Sequence, residues 1–192
     1  MKSLPTHETL SQQPLITQDR LQERVSALGR EISAAYGDRD LMLVAILRGA
    51  FVFAADLLRA ITIPATIDFM AISSYGGQAG VVRITKDLEE SIAGRHVLMV
   101  EDIIDTGLTA NYLFQNLKRR NPASLAVCTL LDRSARRIIE LPITYRGFVI
   151  PDLFVVGYGL DYQQRYRNLP HIAALRTEQE AGGRRQEAGD NG

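Results

Sequence analysis

Seven apolar residues stand in an unbroken row at Leu41-Met-Leu-Val-Ala-Ile-Leu47, and this run constrains the fold more than any other feature. It has no polar alternation, so it has no wet face, and it reads as a strand buried on both sides. Val97-Leu-Met-Val100 repeats the pattern, and further strands are expected at Thr66–Ile72, Leu125–Leu131 and Phe154–Tyr158. Between these runs the period changes. Leu21, Val25, Leu28, Ile32 and Ala35 recur at spacings of four and three, which predicts a helix over Thr17–Tyr36 with Thr17 as its cap and Gly37 past its end. Helices are also expected over Ala50–Ile61 and Thr109–Arg120. Strands alternating with helices give an α/β fold with a mainly parallel sheet flanked by helices. In such sheets ligands gather at the carboxyl ends of the strands.

The chain of 192 residues suits a single domain with a sizeable core. Its 22 basic and 22 acidic side chains cancel, which gives no footprint for nonspecific nucleic-acid binding. The single cysteine, Cys128, lies in an apolar run and reads as an inert strand residue; one thiol cannot make an internal disulfide or a cysteine-based zinc site. His7, His96 and His171 have no metal-ligand spacing. The N-terminal stretch shows no apolar signal core, and no run approaches the ~20 apolar residues that span a bilayer. These features predict a cytoplasmic protein without a membrane partner. Residues 1–15, with Pro5 and Pro14, read as a flexible arm, 16–176 as the domain, and 177–192 as a disordered tail without large apolar residues to anchor it.

The segment most charged with chemistry is Val100-Glu101-Asp102-Ile103-Ile104-Asp105-Thr106-Gly107-Leu108-Thr109. It starts where a buried strand ends and finishes where a helix begins. Three carboxylates within five residues need cations or hydroxyl donors when they stand near a core. Diol hydroxyls and a divalent metal would meet that need. The Asp-Thr-Gly-Leu-Thr turn then supplies backbone N–H groups, two hydroxyls and a helix N-terminus, a cradle for a phosphate monoester. A lone Asp-Thr-Gly would be an ordinary helix cap, but caps do not require three neighbouring carboxylates.

This decapeptide resembles the 5-phosphoribosyl 1-pyrophosphate signature of the type I phosphoribosyltransferases. From about Ile16 to Leu175 the chain is similar to the bacterial hypoxanthine-guanine branch of that family. Leu47-Arg48-Gly49, Ser73-Ser74-Tyr75-Gly76 and the stretch from Ile150 to Arg167 carry the likeness further. The resemblance implies a purine-salvage enzyme with a parallel-sheet core and a small hood, built from the N-terminal region and about Arg146–Arg167. It would move the phosphoribosyl group to hypoxanthine or guanine, giving IMP or GMP and pyrophosphate. Glu101 and Asp102 would hold the ribose hydroxyls and Mg2+, and Asp161 would help hold a second magnesium beside the purine. Asp105 would exchange a proton with N7 of the base. Thr106, Gly107, Leu108 and Thr109 would bind the 5-phosphate. Leu47, Arg48 and Gly49, often through a non-proline cis peptide, and Arg167 would bind pyrophosphate. Ser74 and Tyr75 would belong to a closing loop, Ser73–Gly80, to which Gly76, Gly77 and Gly80 lend flexibility. Phe154 would stack on the base and the Val155 backbone would read its edge. A homodimer or homotetramer is implied.

Taken singly, several of these residues have blander readings: Arg48-Gly49 as a turn, Phe154 as a packed strand residue, Asp161 and Arg167 as a surface ion pair, Tyr75 as a loop anchor. Their joint occurrence in the family's order outweighs these. The chain departs from the family pattern at Arg133, where a lysine usually donates to the purine 6-oxo group, and Arg and Lys are not interchangeable at close contacts. The segment between Tyr75 and Lys86-Asp87-Leu88 is a few residues shorter than the bacterial pattern, and Leu108 replaces a residue that is often polar. Rival readings are a nucleic-acid-binding sensor of phosphoribosyl pyrophosphate, transfer to xanthine, adenine or a pyrimidine, and a degenerate structural relative.

Overall fold

The computed structural model describes residues 9–75 and 81–176, and over these the chain alternates as the apolar runs imply. Its elements are β1 (Thr9–Leu10), α1 (Gln18–Tyr36), β2 (Leu41–Leu47), α2 (Phe51–Ala60), β3 (Ala65–Tyr75), β4 (Val81–Lys86), β5 (His96–Ile104), α3 (Leu108–Lys118), β6 (Ser124–Asp132), a 3-10 turn (Ser134–Arg136), β7 (Ile143–Val149), β8 (Val155–Val156) and β9 (Ala173–Arg176).

Six strands form the main sheet in the order β4-β3-β2-β5-β6-β7. All neighbours are parallel except β4, which turns back against β3. β2 is central, and its side chains divide cleanly between the two faces. Leu41, Leu43 and Ala45 join the core with Leu21, Leu28 and Ile32 of α1 and Phe53 and Leu57 of α2. Met42, Val44 and Ile46 join the opposite core with Leu113 and Leu117 of α3. That two-sided burial is why the run tolerates no polar residue. α1 and α2 touch closely, for a Cβ on Gly29 would come within 2.4 Å of the Ala60 carbonyl oxygen.

α1 begins as expected: Thr17 caps it by accepting from the Arg20 N–H at 3.4 Å, and Gly37 ends it with φ of 60°. Its apolar stripe differs at the last position. Ala35 is exposed and Tyr36 is buried, because the final turn rotates the tyrosine ring towards His96, 6.2 Å away edge to face. Cys128 is fully buried on β6, and burial pushes its thiol well above the ordinary value.

A second, three-stranded antiparallel sheet, β1-β9-β8, forms the hood. Thr9 pairs with Arg176 and Val155 with Ala174, and the Leu15 N–H donates to the Ile172 carbonyl at 2.8 Å. Residues 9–15, read from sequence as part of an arm, are thus laid along the hood by backbone hydrogen bonds. The hood also starts later than expected. Arg146–Val149 belong to β7, an edge strand of the main sheet, where Arg146 pairs with Thr129 and Phe148 with Leu131. Of the loop expected over Ser73–Gly80, Ser73–Tyr75 continue β3 against β4. Residues 1–8, Gly76–Gly80 and the tail 177–192 lie outside the described residues. No described helix is long and apolar enough to cross a membrane.

Candidate active site

The strand order reverses at β2, with β3 on one side and β5 on the other, and the crevice beyond the carboxyl ends of β2 and β5 is where a ligand fits such a sheet. A cavity of about 310 Å³ lies there, lined by Leu47, Gly49, Glu101, Asp102, Asp105, Thr106, Gly107 and Thr109 among others. β5 supplies its floor. Val97–Val100 anchor the strand in the core, so the residues that follow emerge at a fixed place. Glu101 remains buried, and burial, then the neighbouring Asp102 charge, holds its carboxyl well above the usual range. Asp102 is pushed up to about 6, chiefly by burial, with the Ile103 N–H and the Arg167 charge pulling the other way.

The Leu47–Arg48 peptide is cis, and it leads directly to Gly49. A Cβ on Gly49 would sit 1.6 Å from Asp102 Oδ2, so only glycine lets this carboxylate lie against the loop after β2. The Arg48 side chain is exposed beside it.

The Asp105–Gly107 turn joins β5 to α3. Gly107 has φ of 83°, a left-handed conformation, and a Cβ there would meet the Ile139 carbonyl oxygen at 2.4 Å. The turn delivers the N-terminus of α3 to the cavity, where unpaired N–H groups favour an anion. Leu108 and Thr109 are exposed on its first turn.

Arg133 follows β6 and is buried. Its Nη1 stands 3.4 Å from Asp105 Oδ2 and 4.0 Å from Asp152 Oδ1. Arg136 approaches the same two carboxylates, at 3.9 Å from Asp105 Oδ2 and 2.6 Å from Asp152 Oδ1. Asp105 Oδ1 and Arg133 Nε are buried with no hydrogen-bond partner among the described residues. Such atoms are uncommon in folded proteins and need an explanation, of which a ligand is one.

The 154–167 stretch of the hood approaches the loop after β2. Phe154 is 38% exposed, and its ring meets Tyr162 edge to face at 5.6 Å. Val155 beside it is buried. Arg167 pairs with Asp161 at 2.6 Å and donates to the Gly159 carbonyl at 2.7 Å. Gly159 in turn lies on the Gly49 carbonyl, with only 2.3 Å available to a Cβ. The hood turn therefore rests on the loop after β2, and both Arg167 and Asp161 act electrostatically on Asp102.

Of the residues nominated from sequence, Leu47, Gly49, Glu101, Asp102, Asp105, Thr106, Gly107 and Thr109 line the cavity, Arg133 reaches it through Asp105, and Asp161 and Arg167 through the Asp102 charge, whereas Arg48, Phe154 and Val155 are not among its lining residues. Ser74 and Tyr75 lie on β3 opposite Val82 and Val81. Among the described residues, no three acidic or imidazole side chains form a ready-made metal cage. Asp102 and Asp161 nevertheless sense each other's charge, and such carboxylates fit a magnesium ion that draws most ligands from substrate phosphates and water. Sequence reasoning missed Arg136, Arg137, Asp132 and Asp152, which surround Asp105 and its loop. The only signal was the Arg136-Arg137 pair shortly after Arg133.

Comparison with known proteins gives the family and the fold. The family model described as a phosphoribosyl transferase domain matches residues 17–163. The chain is 50% identical over 170 residues to a hypoxanthine-guanine phosphoribosyltransferase of Mycobacterium avium, covering 84% of each chain. It is 48% identical over 171 residues to a hypoxanthine phosphoribosyltransferase of Haemophilus influenzae, covering 86% of this chain and 96% of the relative. A crystal structure of a Bacillus anthracis hypoxanthine-guanine phosphoribosyltransferase superposes with a TM-score of 0.84 at 43% identity, covering 89% of this chain and all of that one.

Proposed function

The chain belongs to the phosphoribosyltransferase family, and on that premise we propose that it transfers the phosphoribosyl group of 5-phosphoribosyl 1-pyrophosphate to hypoxanthine or guanine. The products are IMP or GMP and pyrophosphate, and the role is purine salvage. One observation carries the reading: Asp105 lines the cavity beside a phosphate-type cradle with its Oδ2 3.4 Å from Arg133 Nη1, and its Oδ1 and Arg133 Nε are each buried with no hydrogen-bond partner among the described residues. A 6-oxopurine offers the complement, an N7 proton for the acceptor and a carbonyl for the donor.

The bond from the ribosyl C1′ to pyrophosphate oxygen breaks, and the bond from C1′ to purine N9 forms. Asp105 takes the proton released from N7. Thr106, Gly107, Leu108 and Thr109 hold the 5-phosphate with N–H groups and hydroxyls at the start of α3. Leu47, Arg48, Gly49 and Arg167 receive the departing pyrophosphate, whose charge grows as the bond breaks. Phe154 covers the base and the Val155 backbone meets its edge. Mg2+ held by Glu101, Asp102 and Asp161 would neutralise pyrophosphate charge and fix the ribose hydroxyls. Ser74 and Tyr75, at the end of β3, would contribute to closure over the reacting carbon.

The catalytic unit in this reading is 16–176, with 9–15 fastened to its hood. A cytoplasmic location and a homodimeric or homotetrameric assembly go with it and rest on the family. Pyrophosphate release with hypoxanthine, guanine, xanthine, adenine and uracil tests the assignment. Hypoxanthine or guanine should lead the panel; turnover confined to adenine or uracil, or none with any base, would contradict it.

A further inference from the structure

The Asp105 and Thr106 carbonyl groups of the turn before α3 are engaged from one neighbouring segment, while the Gly107 carbonyl accepts from the Asn111 N–H of α3 at 2.8 Å. Arg137 Nε donates to the Asp105 carbonyl at 3.1 Å, and its Nη2 donates to the Ile104 carbonyl at 3.4 Å. The Ile138 and Ile139 N–H groups both donate to the Thr106 carbonyl, at 2.9 and 3.1 Å. Arg137 is itself held by the buried Asp132, whose other oxygen is 2.8 Å from Arg146 Nε. In a trans peptide the N–H of one residue points opposite to the carbonyl of the residue before it. Fixing the carbonyls of Asp105 and Thr106 towards 137–139 therefore turns the N–H groups of Thr106 and Gly107 the other way, towards the cavity they line.

We propose that Arg137, seated on Asp132, is a positioning residue that, with Ile138 and Ile139, aims the Thr106 and Gly107 N–H groups at the 5-phosphate of the phosphoribosyl substrate. The proposal rests on the function above for the identity of that phosphate. The planar guanidinium fork is required because two successive carbonyl oxygens and a carboxylate are met by one side chain; a lysine ammonium keeps the charge but not the fork. Arg137 touches neither base nor phosphate, so its effect should fall on one substrate.

Two substitutions in the full chain test this. Arg137→Lys preserves charge opposite Asp132. Ile138→Pro deletes one donor to the Thr106 carbonyl, at a side chain that is 69% exposed and after a residue already extended at φ −62° and ψ 124°, as a residue before proline prefers. Titration calorimetry should show the Kd for 5-phosphoribosyl 1-pyrophosphate raised roughly tenfold or more in Arg137→Lys and roughly threefold or more in Ile138→Pro, with the hypoxanthine KM within about twofold of wild type. A folded Arg137→Lys protein that binds this substrate within about twofold of wild type, or loses both substrates equally, would overturn the proposal. Should the lysine variant fail to fold, the proline variant decides by the same criterion. A wild type that binds 5-phosphoribosyl 1-pyrophosphate but turns over no base contradicts the proposed function alone, and the calorimetric comparison still judges the bracket.

Discussion

Arg133 Nη1 lies 3.4 Å from Asp105 Oδ2, and the second oxygen of the same carboxylate is buried without a partner. Arg136 also approaches Oδ2, so both cations lie on one oxygen of the carboxylate. A guanidinium only donates hydrogen bonds, so it suits the 6-carbonyl of hypoxanthine or guanine and mismatches the 6-amine of adenine. Removing a charge-assisted hydrogen bond costs about 1.5–3 kcal/mol, so Arg133→Leu should lower kcat/KM for the 6-oxopurines roughly 10–100-fold with 5-phosphoribosyl 1-pyrophosphate binding little changed. Arg133→Lys should keep the preference over adenine. Unchanged efficiency and selectivity in Arg133→Leu would show that this arginine does not read the purine.

The proposed magnesium site on the acidic floor makes a prediction. Glu101 is buried, Asp102 is partly buried within reach of the Asp161 charge, and among the described residues no complete cage stands ready, so the ion should arrive with the phosphate-bearing substrate. Excess chelator should abolish turnover and added magnesium should restore it. Full activity in chelator would remove the metal from the account.

The loop after β2 predicts a sharp intolerance. Alanine at position 49 would place its Cβ 1.6 Å from Asp102 Oδ2, and the carboxylate would have to swing away. Gly49→Ala should raise the KM for 5-phosphoribosyl 1-pyrophosphate by roughly tenfold or more while the melting temperature changes little, because the clash falls on a side chain. An unaltered KM would mean that Asp102 need not occupy this position.

Gly159 predicts the opposite balance. Its φ is 102° and its neighbour at 2.3 Å is the Gly49 backbone, which cannot rotate away. Backbone strain of this kind costs about 1–3 kcal/mol, so Gly159→Ala should lower the melting temperature by roughly 2–12 °C. A calorimetric scan that superposes on the wild type would contradict the packing of the hood turn on the β2 loop.

The central strands were legible because β2 and β5 are buried on both faces and carry unbroken apolar runs. α1 was legible through its stripe, with Tyr36 in place of Ala35 as the single slip. The Glu101–Thr109 turn was visible because polar residues there follow immediately on an apolar strand. β7 escaped because an edge strand buries its residues only partly, and Ile143–Val149 alternate weakly. β8 lies inside the strand expected at Phe154–Tyr158 but is shorter, Val155–Val156, whereas β1 and β9 are two and four residues long and owe their existence to pairing across the chain, which no local pattern encodes. Arg137 escaped for a related reason: its partners Ile104 and Asp105 are about thirty residues away, and an arginine in a polar stretch looks solvated.

The account turns on Asp105 as the group that takes the purine proton. Asp105→Asn keeps the size of the side chain and removes its basicity. Steady-state turnover with hypoxanthine, measured beside calorimetric binding of 5-phosphoribosyl 1-pyrophosphate, separates the chemical role from a binding role. The account predicts that turnover falls by roughly 10²–10⁴, with a binding change of only a few-fold. Turnover within about threefold of wild type would contradict it.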